Sequence, residues 1–383
     1  MTSKRLSDIP GFSIDKVAEK AGTDPDVLRL ENLDTDLPPP VAVLEATQQA
    51  IWQDDNNSYL PFTGKQDLRR VISQYISRQT SHFYSENQVV ITNGGTEGMF
   101  DVLLALTDPG DEVILTDPTY AGMIYRVKLA GAVPVLVPFR HHHQEWRLDL
   151  EQLRAAITPR TKALFIMNPS MPSGAVLDST EWAVITDLCH THNLWLFYNA
   201  AMERILYDKR PFLHPAALPG MQDRTIIIGS ASKEFRMIGW RMGWVVAPES
   251  VVEAIARTHI YNAVTSSGFA QSALIHAFSA EAEASFVQSV ATWEARRNTT
   301  IAQLDKYTCI PAAGGWSQLL DVTPLGLQAS EAADLLLAKG KVAVTPMTHW
   351  GRENSTQYIR LVFSNESQER LSTLGERFRA TFG

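Results

Sequence analysis

Seven short runs of aliphatic and β-branched residues recur between residues 89 and 248: VVIT ending at Thr92, EVILTDP ending at Pro118, VPVLVPF ending at Phe139, ALFIMNP ending at Pro169, LWLFYN ending at Asn199, TIIIGS ending at Ser230 and GWVVAP ending at Pro248. They are apolar nearly throughout rather than at alternate positions, the pattern of strands covered on both faces. Helical periodicity over Lys65–Gln79, Thr96–Leu106, Ser179–His190 and Ser250–Asn262 separates several of them. Such alternation predicts an α/β fold with a large doubly wound sheet and functional groups gathered at the strand ends. After about residue 280 the pattern changes to a long charged helix, a GGW turn at Gly314–Trp316, short strands near Val342–Pro346 and Tyr358–Phe363, and a terminal helix. That change predicts a smaller second domain. The LPPP stretch, Leu37–Pro40, divides an N-terminal arm from the first long helix.

A chain of 383 residues with 45% hydrophobic content can bury a large core. Its formal charge of -8, with Lys and Arg scattered along the chain, argues against a nucleic-acid or anionic-membrane surface and for small-molecule partners. Cys189 and Cys309 stand far apart without CxxC spacing, so neither a disulfide framework nor a zinc site is expected, which suits a reducing cytoplasm. The opening MTSKRLSDIPGF is polar, and no apolar run is long enough to span a bilayer. A soluble, cytoplasmic protein is expected.

The segment Thr225–Trp244, TIIIGSASKEFRMIGWRMGW, puts Lys233 just past a buried strand. Taken alone, a lysine in a turn is usually an exposed charge. A lysine whose pKa is lowered by its site can instead form a Schiff base with an aldehyde. Ser230 and Arg241 flank it with a hydroxyl and a guanidinium suited to a phosphate, and the intervening MIGW can fold them towards one point. No Ser-His-Asp or paired-carboxylate pattern competes with Lys233.

The pattern S-x-S-K-x-x-x-M-x-G-W-R-x-G closely resembles the cofactor-lysine motif of the class I/II aminotransferases, the fold-type I enzymes of pyridoxal 5'-phosphate. Other landmarks of that family follow in order over nearly the whole chain. Tyr59 in YLPFTG resembles the tyrosine that reaches the phosphate of a neighbouring subunit's cofactor, which implies a homodimer with shared sites. TNGGTEG, Thr92–Gly98, resembles the turn whose amides, at Gly95 and Thr96, cradle the phosphate at a helix N-terminus. Tyr120 in DPTY matches the aromatic that stacks on the pyridine ring, and NPSMPSG, Asn168–Gly174, is similar to NPxNPTG. Arg360 in YIRLVF matches the arginine that grips the substrate α-carboxylate, where a planar fork outperforms a point charge. The resemblance implies a large cofactor domain over 41–280 and a small α+β domain built from 1–40 and 281–383. It implies a Lys233 Schiff base, with Ser230, Ser232 and Arg241 on the phosphate and Lys233 moving protons at the substrate α-carbon.

Three departures stand out. Asn199, in LFYNAAMERI, occupies the place of the Asp that keeps the ring nitrogen protonated, between a clear strand and a helical-looking ERILYD. An amide supplies no charge; two pKa units of lost coupling is roughly 2.7 kcal/mol, on the order of a hundredfold in rate. Met171 and Met202 stand where an asparagine and a tyrosine would reach the phenolic oxygen, so the Lys233 imine is expected to hold its proton at neutral pH. Leu33, Asp34 and Thr35, in LENLDTDLPPP, replace a Gly-x-Pro beside the substrate. Glu31 and Asp34 there are either partners for a cationic substrate side chain or solvated, helix-capping acids on an arm. His141–His143 has the composition of a metal tract but lies in a loop without a fourth ligand at useful spacing, so no metal is expected. Arg236 is either a further anion contact or a solvated charge.

The expected activity is amino-group transfer from an L-α-amino acid to a 2-oxo acid. The alternatives are elimination or cyclisation of a cationic, arginine-like and hydroxylated amino acid, similar to the branch of this family that makes cyclic arginine derivatives, and a cofactor-binding protein impaired by Asn199.

Overall fold

A computed structural model describes residues 3–7, 9–11, 13–142 and 144–383. All seven apolar runs are strands of one eight-stranded sheet. The strands of the sheet are β1 (Val89–Thr92), β2 (Glu112–Asp117), β3 (Val133–His142), β4 (Glu145–Leu148), β5 (Thr161–Met167), β6 (Trp195–Asn199), β7 (Thr225–Ser230) and β8 (Gly243–Val246), of which all but β4 are the apolar runs. Their order is β1-β8-β7-β6-β5-β2-β3-β4. Strands β7, β6, β5, β2 and β3 run parallel, while β8 is antiparallel to both its neighbours and β4 folds back on β3 as a hairpin. Every residue of β1, β2 and β8 is buried, as continuous apolar runs demand. Full burial of each Val, Leu or Ile contributes roughly 1.5–3 kcal/mol.

Helices α1 (Val41–Ile51), α2 (Gln66–Thr80), α3 (Gly95–Leu106), α4 (Ala121–Leu129), α5 (Ser179–Thr191) and α6 (Glu249–Ala263) accompany the sheet. Asp178 starts α5 by accepting the amides of Thr180 and Glu181, while the Glu181 side chain returns to the Asp178 amide, a reciprocal cap. After α7 (Ala280–Gln303) comes a smaller sheet of four antiparallel strands, β9 (Thr308–Ile310), β10 (Ser317–Asp321), β11 (Thr345–Pro346) and β12 (Tyr358–Val362), ordered β9-β10-β12-β11. Leu28–Arg29 pairs in parallel with Val342–Ala343, so the two ends of the chain pack together. On α7, Arg296 clasps Asp36 through two bonds of 2.6 and 2.9 Å, and the Trp293 indole donates to Thr35 at 3.1 Å. Among the described residues no helix is long and apolar enough to cross a membrane.

Two local expectations fail. ERILYD, Glu203–Asp208, is not helical: it forms turns and one bridge, Leu206 to Gly314, with Ile205 and Tyr207 both fully buried. Burial at alternate positions and a bridge to a distant part of the chain override local helix propensity there. His141 and His142 lie on β3 rather than in a loop, paired with Trp146 and Glu145 of the hairpin; His143 lies outside the described residues.

Candidate active site

The carboxyl ends of β5, β6 and β7, the start of α3 and the turn before α4 meet around a cavity of ≈ 240 Å³. Gly95, Thr96, Tyr120, Met171, Asn199, Ser230, Ser232, Lys233, Arg241 and Arg360 all line it, as the sequence predicts. The β1–α3 turn is pressed onto the start of β8: a Cβ on Gly243 would sit 2.4 Å from the Gly94 carbonyl carbon and the Gly95 amide nitrogen. The first amides of α3 therefore face the cavity edge without intrahelical acceptors. Ser230 Oγ accepts the Ser232 amide at 3.2 Å, and Arg241, in the left-handed region at φ 54°, donates to Ser232 Oγ at 3.3 Å. Two hydroxyls, helix-start amides and a guanidinium thus share one corner, a donor set that fits a phosphate.

Lys233 is half-buried, its Nζ donating to the Leu33 carbonyl at 2.7 Å and lying 4.7 Å from the Trp316 ring centroid. Burial pushes its pKa down to about 7; Asp34 opposes the shift, and the charges of Arg360 and Arg241 add to it. Arg360 is fully buried, and burial brings its guanidinium down to about 9, with Glu31 and Tyr120 opposing, so it is still cationic at neutral pH. It donates to the Glu31 carbonyl at 2.5 Å and Thr345 Oγ1 at 3.2 Å, rests 4.8 Å over Trp350, and leaves Nε unpartnered. Among the described residues none of Lys233, Arg241 and Arg360 has a carboxylate within ion-pair distance. A cavity bordered by three unpaired cations calls for anionic groups on its ligand.

The other expected site residues lie elsewhere. Glu31 is fully buried outside the cavity wall, with Oε1 on Arg29 at 2.6 Å and Oε2 unpartnered. Thr35 joins Trp293 to the Ser364 carbonyl, and Asp34 holds the Thr35 amide. Asn168 accepts the Leu177 amide at 2.9 Å, and Met202 is buried beside Gly315 and away from the cavity lining. Arg236 is neither solvated nor turned to an anion: it is buried and ties the Pro38 carbonyl, at 2.8 Å, to Ser285, at 2.8 Å. Tyr59 is 83% exposed and lines a separate surface hollow with Thr265–Phe269.

Leu33 lines the wall, as expected of the residue in place of the glycine beside the substrate, whereas Asn32, Met99, Met167 and Trp350 escape the sequence reading. So does a cluster behind the phosphate corner. His259 Nδ1 lies 2.8 Å from Glu97 and 3.5 Å from Asp101, and Glu97 also accepts the Asn93 amide in the β1–α3 turn. The three could share a metal ion, but their close mutual contacts are those of an ion pair. Burial would lower the imidazolium pKa, yet hydrogen bonds to Asp101 and Glu97 and their charges push it up to about 9.

This large mixed sheet, with its smaller domain and strand-end lysine, has the fold-type I aminotransferase architecture. The structure of N-succinyldiaminopimelate aminotransferase from Mycobacterium tuberculosis matches with a TM-score of 0.92 and 30% identity over 99% of both chains. Aspartate aminotransferase from Thermus thermophilus with maleate matches at 0.91 and 27%, over 99% of this chain and 98% of that one. The chain belongs to the class I and II aminotransferases: the family "Aminotransferase class I and II" matches residues 25–378. It is an enzyme of the transferase class in a pyridoxal-phosphate-dependent family. The arginine–pyruvate transaminase of Pseudomonas aeruginosa is 31% identical over 342 residues, 88% of this chain and 85% of its own. The probable N-succinyldiaminopimelate aminotransferase of M. tuberculosis is 34% identical over 320 residues, 82% and 79% of the two chains.

Proposed function

We propose that this chain binds pyridoxal 5'-phosphate and transfers an amino group from an L-α-amino acid to a 2-oxo acid. The observation that carries the reading is the convergence of Lys233, with its pKa near 7, and the unpaired Arg241 and Arg360 on one cavity. Gly95, Thr96, Ser230, Ser232 and Arg241 would hold the phosphate, and Tyr120 would lie on the ring. When bound, the cofactor supplies an aldehyde for the substrate amine and an electron sink for the α-carbon.

Arg360 orients the substrate by its α-carboxylate, and its unpartnered Nε gives the fork a free donor. Lys233 takes the proton from the substrate α-carbon, a task that suits an amine partly neutral near pH 7. The apolar walls, Leu33, Met171 and Trp350 among them, exclude water from that carbon. The exposure of Tyr59 suits a residue completing the phosphate corner of a second copy, in a homodimer with large domains over 41–280 and small domains over 1–40 and 281–383. Elimination or cyclisation of a cationic amino acid has less support, because Glu31 is outside the cavity lining and commits one oxygen to Arg29.

The test offers single amino acids, arginine included, with pyruvate to the cofactor-loaded protein and follows the new 2-oxo acid by mass spectrometry. Wild type should form it, and Lys233→Ala should lose both product and the visible absorbance of bound cofactor. Persistence of that absorbance in the variant would overturn the assignment of Lys233.

A further inference from the structure

The end of β6 carries an amide whose orientation is decided by the backbone. Asn199 Oδ1 lies 3.1 Å from the Ala201 amide nitrogen. That nitrogen bears a hydrogen, so the side-chain atom facing it must be the oxygen, and Nδ2 is turned to the other side. There its partner is the thioether sulfur of Met99 at 3.6 Å, a weak acceptor. Asn199 is 5% exposed, so its N–H groups have little water to satisfy them. It lines the cavity together with Met99, Met167 and Met171.

The surrounding charges point the same way. The ionisable side chains lining the cavity, besides the Tyr120 phenol, are Lys233, Arg241 and Arg360, with no Asp, Glu or His among the described lining residues. A further positive charge in that space would find no carboxylate among those lining residues and would face a sulfur-lined wall of low polarity. A protonated ring nitrogen would also set its own N–H against the N–H of Asn199, two donors facing each other, whereas an unprotonated one accepts that bond.

We propose that Asn199 acts as a hydrogen-bond donor that keeps the cofactor's ring nitrogen unprotonated, a positioning role opposite in sign to that of a carboxylate at this place. The inference rests on the cofactor reading above. It gives the methionine wall a purpose, since thioethers hold a pyridinium poorly and compete only weakly for the amide hydrogens.

The test loads the protein with pyridoxal phosphate carrying ¹⁵N in the ring and reads the nitrogen chemical shift from mildly acidic to mildly alkaline pH. Wild type should show the unprotonated position throughout, and Asn199→Asp should move to the protonated one. A wild-type signal at the protonated position overturns the proposal, as does an Asn199→Asp signal unchanged from wild type. The wild-type spectrum decides even where the variant fails to fold. A wild type that retains no cofactor overturns the cofactor reading and this proposal together; retention with a protonated nitrogen overturns this proposal alone.

Discussion

Replacing His259 with glutamine removes the cation that Glu97 and Asp101 share in the space behind the β1–α3 turn. The imidazole rises from an ordinary 6.5 to about 9 on folding, which corresponds to on the order of 3 kcal/mol favouring the folded, protonated form. Because the folded pKa lies above the unfolded one, this stabilisation is fully present below about pH 6.5 and is lost as pH rises through about 9. Asp101 is itself raised, chiefly by burial, so its contribution is also lost as pH rises, starting from the ordinary carboxylate range. The variant should therefore be less stable by up to about 3 kcal/mol near pH 6, with Asp101 recovering part of this by taking up a proton, and by under about 1 kcal/mol near pH 10. Urea unfolding of both proteins at the two pH values, followed by tryptophan fluorescence, measures the difference. An equal loss at both pH values, or no loss at the acidic one, would refute the ion-pair reasoning. Since Glu97 also holds the Asn93 amide, the variant should retain cofactor less firmly as well.

Two further outcomes follow from the site. Cofactor uptake by the apo-protein needs a neutral amine, so its rate should rise through a midpoint at about 7 and then level off; a midpoint near the ordinary lysine value of 10.5 would contradict the effect of burial on Lys233. Arg360→Lys replaces a two-pronged donor with a point charge, a loss of about 2 kcal/mol that lowers kcat/KM for an α-amino acid about 30-fold, mainly through KM. Steady-state kinetics with an unchanged KM would remove Arg360 from carboxylate binding.

The seven apolar strands of the main sheet were legible because strands covered on both faces are mostly apolar, and that leaves near-continuous runs such as TIIIGS. The hairpin strand Glu145–Leu148 was not, because EWRL is half polar, and its pairing with β3 is what makes it a strand. The meeting of Ser230, Lys233 and Arg241 on one cavity was readable because they lie within twelve residues of one another. His259 was not readable as a partner of Glu97, because 162 residues separate them and helix packing alone brings α6 against α3. Glu31 shows a signal that could have been used: two positions along an extended segment from Arg29, it projects to the same side and can pair with it.

The bond from Lys233 to the Leu33 carbonyl gives one amine two duties. The segment it holds is also fastened by Arg236 at Pro38 and Arg296 at Asp36. Any chemistry at Nζ must first take it from that carbonyl, so this fastening of the N-terminal arm is released whenever the lysine is at work, while those at Thr35, Asp36 and Pro38 remain. The clasp and the proposed reactive group are the same atom, so Leu33, which lines the cavity, is freed from its hold while the amine is engaged.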